Sequence, residues 1–504
     1  MSEFDESTLG VGRADARGGE DPDVHEARRL TDAPRPLPWI KVAGGGVPYF
    51  TTETGQAWTP IGQNDAISWD ELSGLFRRRD VPAVEAHLRW LAEHGVTVLR
   101  LMLEYAQVRH RYIERPVGRF VPAMVQMWDD LFALCERHGL RILLTPFDTF
   151  WTWLHWRHHP YNRRNGGVLG HPSRFLLDEA VREAIKNRLT FAVERWGGSG
   201  VLFAWDLWNE IHHAQAEDSA DAFNPFIADL SRHVRDLEMR LYGRAHPQTV
   251  SLFGPELRWR PHLDLADPIF RHPELDFATI HIYAEGTIDA PRNTVDPALA
   301  MSRIVRESLT QIRDDRPFLD TEHGPIHTFK DRRVTLKEPF DDEYFRHMQW
   351  AHLASGGAGG GMRWPNRKPH RLTVGMREAQ RSLARFLPLI DWARFKRRNL
   401  DQQIGVGRAP VAVCGCGDAE QAVLWCVRTD TLNRDKHKQV RPDAEPIPVT
   451  LTVPGLAPGR YRITAWNTLV GAVQAEQSGA VTGTAPLDID LSLATDLAVA
   501  VRRV

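Results

Sequence analysis

From about residue 57 the chain alternates short apolar runs with longer amphipathic ones. "VTVLRLML" (96–103) is apolar and β-branched. It follows "VPAVEAHLRWLAEHG", where Asp80 can cap a helix, Pro82 sits in its first turn and Gly95 stops it. "RILLTPF" (141–147) follows "PAMVQMWDDLFALCERHG", whose Met124, Trp128, Leu131 and Cys135 fall on one helical face. "VLFAWDLW" (201–208) follows the helical "DEAVREAIKNRLTFAVERWG". Further strands fit "AWTPIGQN" (57–64), "QTVSLFG" (248–254), "FATIHIY" (277–283), "RPFLDTE" (316–322) and "GGGMRWP" (359–365), giving eight candidates. Helical patterns separate most of them, and the stretch between 254 and 276 is the weakest.

Continuous apolar runs suit parallel strands buried on both faces, and eight strand–helix alternations predict a (β/α)₈ barrel. A doubly wound open sheet is the alternative. Against it, no G-x-G-x-x-G or G-x-x-x-x-G-K-[ST] follows an early strand. "VAGGGV" (42–47) and "GGAGGG" (356–361) do not lead from strand into helix as a phosphate loop must, and glycine beside a barrel strand allows close backbone packing. After about residue 395 the texture changes to short alternating runs with turn signals, such as "QAVLWCVRTD" and "GRYRITAWNTLVG". These predict a C-terminal antiparallel β-sandwich. The expected organisation is a disordered segment 1–35, a barrel 36–392 and a sandwich 393–504, with "RTDTLNRDKHKQVRPDAEP" (428–446) as an exposed loop.

Composition narrows the function classes. The 63 Lys and Arg balance 65 Asp and Glu to a net charge of −2, so no global field attracts nucleic acid or an anionic membrane. Seventeen Trp, many in loops, suit a cleft for a ligand with apolar faces, sugars included. Cys414, Cys416 and Cys426 cluster without a fourth zinc ligand at suitable spacing, and Cys135 lies on a helix; all four read as small buried residues. The first 30 residues lack a basic region followed by an apolar one, and no segment has the character of a transmembrane helix. The expectation is a cytoplasmic protein, of no stated oligomeric state.

In a barrel of this kind, side chains at the C-terminal ends of strands line the mouth where chemistry occurs. "FAWDLWNEI" (203–211) carries an apolar strand into Asn209 and Glu210, and "FLDTEHG" (318–324) ends a strand on Glu322. Two carboxylates facing each other across one mouth are what glycoside hydrolysis needs, one to protonate the leaving oxygen and one to attack or to activate water.

At these residues the sequence resembles the clan A glycoside hydrolases, and within them family 5, over roughly residues 40 to 390. The resemblance implies Glu210 as acid/base, preceded by Asn209 at the end of the fourth strand, and Glu322 as nucleophile at the end of the seventh. It implies Arg100 of "VLRLML" as a support of the nucleophile, His281 and Tyr283 of "IHIY" at the sixth strand, and Trp364 of "MRWP" as the floor of the sugar site. Arg100 is expected to hold the Glu322 carboxyl low, and Trp205 and Trp208 to favour a protonated Glu210 by desolvation. The third strand departs from the family: where many members have a His, "LLTPFDTFWTW" has Asp148, followed by Trp151 and Trp153. That places the sugar-recognising contacts in question, with Asp148, Trp151 and Trp153 as the candidates.

The histidines of the same loop, His155, His158 and His159, and His212 and His213 of "NEIHH", invite a metal reading. A metal-dependent barrel would want H-x-H after the first strand, where "GQN" stands, so they are read as sugar-bonding or surface residues. The function implied is a cofactor-free, metal-free retaining β-glycosidase acting on oligosaccharides or small glycosides of mannoside or glucoside type. The alternatives are a mannanase- or cellulase-like enzyme acting within a polysaccharide, and a non-catalytic carbohydrate-binding barrel.

Overall fold

The computed structural model describes residues 36–104, 112–326 and 335–504; the segment 1–35, expected to be disordered, lies outside the described residues. Three short strands, Ile40–Gly44, Val47–Thr52 and Ala57–Trp58, form a small antiparallel sheet ahead of the barrel. Ala57 and Trp58, expected in the first barrel strand, belong to that sheet instead.

Eight parallel strands follow: β1 (Gly62–Asp65), β2 (Val98–Met102), β3 (Arg141–Thr145), β4 (Leu202–Asp206), β5 (Gln248–Thr249), β6 (His281–Ile282), β7 (Glu322–His323) and β8 (Met362–Arg363). Their order is β5-β4-β3-β2-β1-β8-β7-β6. The ring closes between β5 and β6, where His281 N–H donates to Leu252 O at 2.8 Å and Gly254 N–H to His281 O at 2.9 Å. The (β/α)₈ barrel is therefore present.

The helices form where the sequence punctuates them. Val81–Glu93 starts under the Asp80 carboxylate, which accepts from Ala83 N–H at 3.2 Å. Pro122–His138 buries Met124, Trp128, Leu131 and Cys135 and stops at Gly139, whose φ of 71° only glycine takes easily. Between β5 and β6 the expected weak point is real: a four-residue helix Glu256–Trp259 and a single wide turn Asp267–Arg271 replace a full helix. In the glycine run before β8, a side chain on Gly359 would put its Cβ 2.3 Å from Pro60 O, so the run serves close packing of the first and last strands.

The C-terminal sandwich pairs a six-stranded antiparallel sheet with the two-stranded sheet Ile447–Val453/Leu487–Leu493. Along Gln421–Arg428 the period-two alternation divides two cores. Val423, Trp425 and Val427 join Trp350 and Phe386 of the barrel helices, whereas Leu424 and Cys426 join Leu451 and Ile489 between the sheets. One buried acid crosses the junction: Asp496 lies 3.1 Å from Arg346 Nη2 and accepts from Trp425 Nε1 at 3.1 Å. Loop 428–446 is mostly exposed, as expected, and is also anchored on the barrel. Lys438 N–H donates to Arg292 O at 2.9 Å, Thr294 N–H to Lys438 O at 3.1 Å, and Val440 N–H to Glu343 at 2.8 Å. Cys135, Cys414, Cys416 and Cys426 are buried free thiols. Among the described residues no helix is long and apolar enough to cross a membrane.

Candidate active site

β4 ends on Asp206, and the chain continues as a ladder-like extension beside β3, with Asn209 N–H on Phe147 O at 2.8 Å and Thr149 N–H on Asn209 O at 3.1 Å. Glu210 then takes a left-handed backbone, φ 51°, which costs a non-glycine residue about 1 kcal/mol or more. Its N–H is held by Ser251 Oγ at 3.1 Å. A non-glycine residue kept in this conformation, at the mouth of a barrel, marks a position chosen for its side chain.

Beneath the mouth, Arg100 of β2 is buried and bonded to five residues, the longest contact running from Nη2 to Ser251 Oγ at 3.4 Å. Its Nη2 donates to Asp206 Oδ2 at 2.7 Å and Asn209 Oδ1 at 2.6 Å, and its Nη1 to Asn64 Oδ1 at 2.8 Å and Glu322 Oε2 at 3.2 Å. Asn209 is locked at both ends, because its Nδ2 donates to Asp148 Oδ1 at 2.5 Å. One N–H of that amide remains for a ligand. Asp148 itself is committed, accepting also from Trp151 N–H at 2.5 Å, and burial pushes its carboxyl up to about 7.

The two glutamates meet above Arg100. One carboxylate oxygen of Glu210, one of Glu322 and a ring nitrogen of His281 lie within 4.8 Å of one another. Glu322 accepts from Tyr283 Oη at 2.6 Å and from Arg100. Burial pushes Glu210 up to about 7; Arg100 opposes this, and the charges of Asp206 and Glu256 add to it. The expectation that Arg100 keeps Glu322 below the ordinary range is corrected. Burial and the neighbouring Glu210 charge raise Glu322 as well, against the pull of His281, Arg100 and Tyr283. The two sites still differ in kind: Glu322 has a guanidinium and a phenol on it, whereas Glu210 has one neutral-ring contact.

Trp205 and Trp208 are not what desolvates Glu210. Trp205 Nε1 donates to Glu238 of an outer helix, and Trp208 stacks on Phe147 and donates to Thr149 Oγ1. The carboxylates open instead into a cavity of about 710 Å³ that Asp148, Trp151, Trp153, Phe253 and Trp364 help to line. Trp364 is braced edge-on by Trp69 at 5.2 Å. Apart from Trp205 and Trp208, the residues the sequence assigned to catalysis, its support or sugar recognition thus converge on one mouth. Asn64, Asp206 and Ser251 were not among them. Asp206 had a legible signal, since an acid inside an apolar strand needs a buried partner.

Among the described residues, two groups place three possible metal donors together: Glu210, His281 and Glu322, and His212, His213 and Glu256. The first already holds a cation, the Arg100 guanidinium. In the second, His212 Nδ1 accepts from Ala214 N–H at 3.1 Å, so a neutral ring carries its proton on Nε2, the nitrogen 3.7 Å from Glu256. Arg260 Nε sits on Glu256 at 2.7 Å. Neither donor set suits a divalent ion in this arrangement. His155 stacks on Trp151, and neither it nor His158 or His159 joins such a group.

No family model matches the sequence. The chain is 22% identical over 176 residues to mannan endo-1,4-beta-mannosidase A of Aspergillus aculeatus, covering 32% of this chain and 42% of that protein. It spans half or less of the length of the curated relatives it matches. A solved glycoside hydrolase family 5 structure from Bacteroides vulgatus superposes with a TM-score of 0.60 at 10% identity, over 93% of this chain and 94% of that one. Another, described as a glycoside hydrolase, gives 0.57 at 12% identity, over 93% and 98%. The shared fold extends across both the barrel and the sandwich.

Proposed function

We propose that the chain is a retaining glycoside hydrolase that cleaves β-glycosidic bonds by double displacement. The observation that carries the proposal is the approach of Glu210 and Glu322, oxygen to oxygen, within 4.8 Å. A retaining pair stands about 5–5.5 Å apart, whereas an inverting pair needs roughly 6.5–9.5 Å to admit a water between carboxylate and sugar. The shared fold with glycoside hydrolases supports the same reading.

In the first step the Glu322 carboxylate attacks the anomeric carbon as the bond to the leaving oxygen breaks, and Glu210 gives that oxygen its proton. The result is a glycosyl ester on Glu322. In the second step Glu210, now a carboxylate, takes a proton from water as its oxygen attacks the same carbon and displaces Glu322. Asn209 offers its free N–H to the 2-hydroxyl, a bond that strengthens as the oxocarbenium-like state forms. Arg100 and Tyr283 hold Glu322 in the ionised form that attacks.

Oligosaccharides or small glycosides are the proposed substrates. β-Mannosides stand first among the sugars to try, because the curated relatives are named as mannan-cleaving enzymes. A panel of aryl β-mannosides, β-glucosides and β-galactosides tests turnover. Proton NMR in the first minutes tests the stereochemistry: the β-anomer of the free sugar should appear first. An α-anomer appearing first would overturn the double displacement, and binding without product would leave a carbohydrate-binding barrel.

A further inference from the structure

Part of the cavity wall has no task in the chemistry above. Phe150, Leu154 and Trp259 are large apolar side chains exposed by 48%, 59% and 54%. Phe150 and Leu154 line the cavity together with Ala214 and Phe253, and the Trp259 ring stands outside that lining, 5.8 Å from Phe253. They sit on the loops that follow β3, β4 and β5. β4 carries Glu210, and β3 and β5 are its neighbours in the sheet.

That placement decides which part of a substrate they meet. The acid gives its proton to the leaving oxygen, so the leaving group lies on the side of Glu210, and the sugar ring lies over Glu322 and Trp364 on the adjacent β7 and β8. Three of the polar groups beside this wall are already bonded within the protein, while His212 Nε2, 3.7 Å from Glu256, and Trp153 Nε1 are the N–H groups left over. Thr149 Oγ1 donates to Gln215 at 2.5 Å and accepts from Trp208 Nε1 at 2.9 Å. Asp148 accepts from Asn209 and Trp151, and Glu256 from Arg260. A second sugar here would bring several hydroxyls to a wall with few uncommitted partners among the described residues, and unpaired polar groups are penalised. An apolar group would instead cover exposed hydrocarbon.

We infer that the leaving group is an apolar alcohol, so that the substrate is an alkyl-type glycoside rather than an oligosaccharide. The inference rests on the glycosidase reading and narrows it. Each buried methylene should multiply kcat/KM by up to roughly fourfold.

The test compares methyl, butyl and octyl β-glycosides, below their micellar concentrations, with the disaccharide of whichever sugar the aryl panel accepts. Octyl should exceed methyl by at least about a hundredfold in kcat/KM, and should exceed the disaccharide. Phe150→Ser with Leu154→Ser, two exposed positions that the fold tolerates, should cut the octyl-to-methyl ratio at least about tenfold. A disaccharide cleaved faster than the octyl glycoside, or a ratio unmoved by the double substitution, would overturn the inference while aryl glycoside turnover kept the glycosidase reading intact. No turnover of any glycoside would overturn both.

Discussion

His281 Nδ1 lies 2.7 Å from Glu210 Oε1, while Tyr283, two residues further on, puts its hydroxyl 2.6 Å from Glu322 Oε1. One strand end thus serves both carboxylates, and unequally. Burial pushes His281 down to about 4, so its ring is neutral wherever Glu210 titrates and adds no positive charge to the acid. Arg100, always charged, bonds Glu322 and not Glu210. Two carboxyl groups of the same type thereby have unlike surroundings, which suits the different tasks the proposed mechanism gives them.

The first consequence is a pH profile. Glu210 must be protonated to act as the acid, and burial has raised it to about 7. Its protonated fraction therefore falls as pH rises through 7, and kcat/KM on an unactivated glycoside should drop about tenfold per pH unit above that point. Asp148 is raised to about the same value, so Asp148→Asn identifies which group sets the limb: it should survive that substitution. A limb that vanished in Asp148→Asn would reassign it.

Substitution separates the two carboxylates. Glu322→Gly should abolish turnover on every substrate, with azide or formate restoring part of it by filling the vacated space. Glu210→Ala should slow alkyl glycosides by roughly 10²–10⁴ and barely affect dinitrophenyl glycosides, whose leaving group needs no proton. Equal losses on both substrate types would reverse or remove the assignment. The measurement is kcat/KM across leaving groups of graded acidity.

The proposed mechanism gives Arg100 a catalytic task beside its structural one, and the two can be pulled apart. Arg100→Met strands Asp206 as a buried unpaired acid and should cost roughly 3–5 kcal/mol in urea unfolding. Adding Asp206→Leu removes the stranded charge and should recover most of that stability. Activity should stay down in the double variant on the order of a thousandfold, since Glu322 and Asn209 have lost their donor. Activity returning with stability would make Arg100 a fold residue only.

Asp496 should couple the sandwich to the barrel. Burial alone would raise its carboxyl, but Arg346 and His347 beside it hold it well below the usual range. A lowered value means the stabilisation is present above the unfolded value of about 4 and is lost as pH falls below it. Asp496→Ala should therefore destabilise by roughly 3–5 kcal/mol at pH 7, and by less at pH 3. Calorimetry of the wild type should show barrel and sandwich unfolding in one transition, and two separated peaks would contradict the shared core.

Much of this was legible from the chain alone, for a physical reason. Strands buried on both faces must be apolar throughout, and helices between them must be amphipathic, so "VLRLML" and "RILLTPF" could be placed without coordinates. A carboxylate at the end of such a run has one place to go, the barrel mouth, which made Glu210 and Glu322 readable. The turn chemistry at Asp80 and Gly139 was equally local.

What the pattern did not carry was anything depending on distance between remote segments. β5, β6, β7 and β8 are two residues long, so hydrogen bonding to neighbours rather than propensity sets their limits. The charge of loop 428–446 told of its exposure, but not that its backbone pairs with Arg292 and Thr294. Trp205, within the strand, points to the outer helix at Glu238, whereas Trp208, beyond the strand's end, stacks on Phe147, and sequence cannot say which way a residue points once a strand has ended. Electrostatics was the most tertiary property of all. Local sequence determined that Arg100 and Glu322 are present. Only the closed barrel brought Arg100, Asp206, Glu210 and Glu322 together, where burial outweighs the pull of a single guanidinium and raises both glutamates.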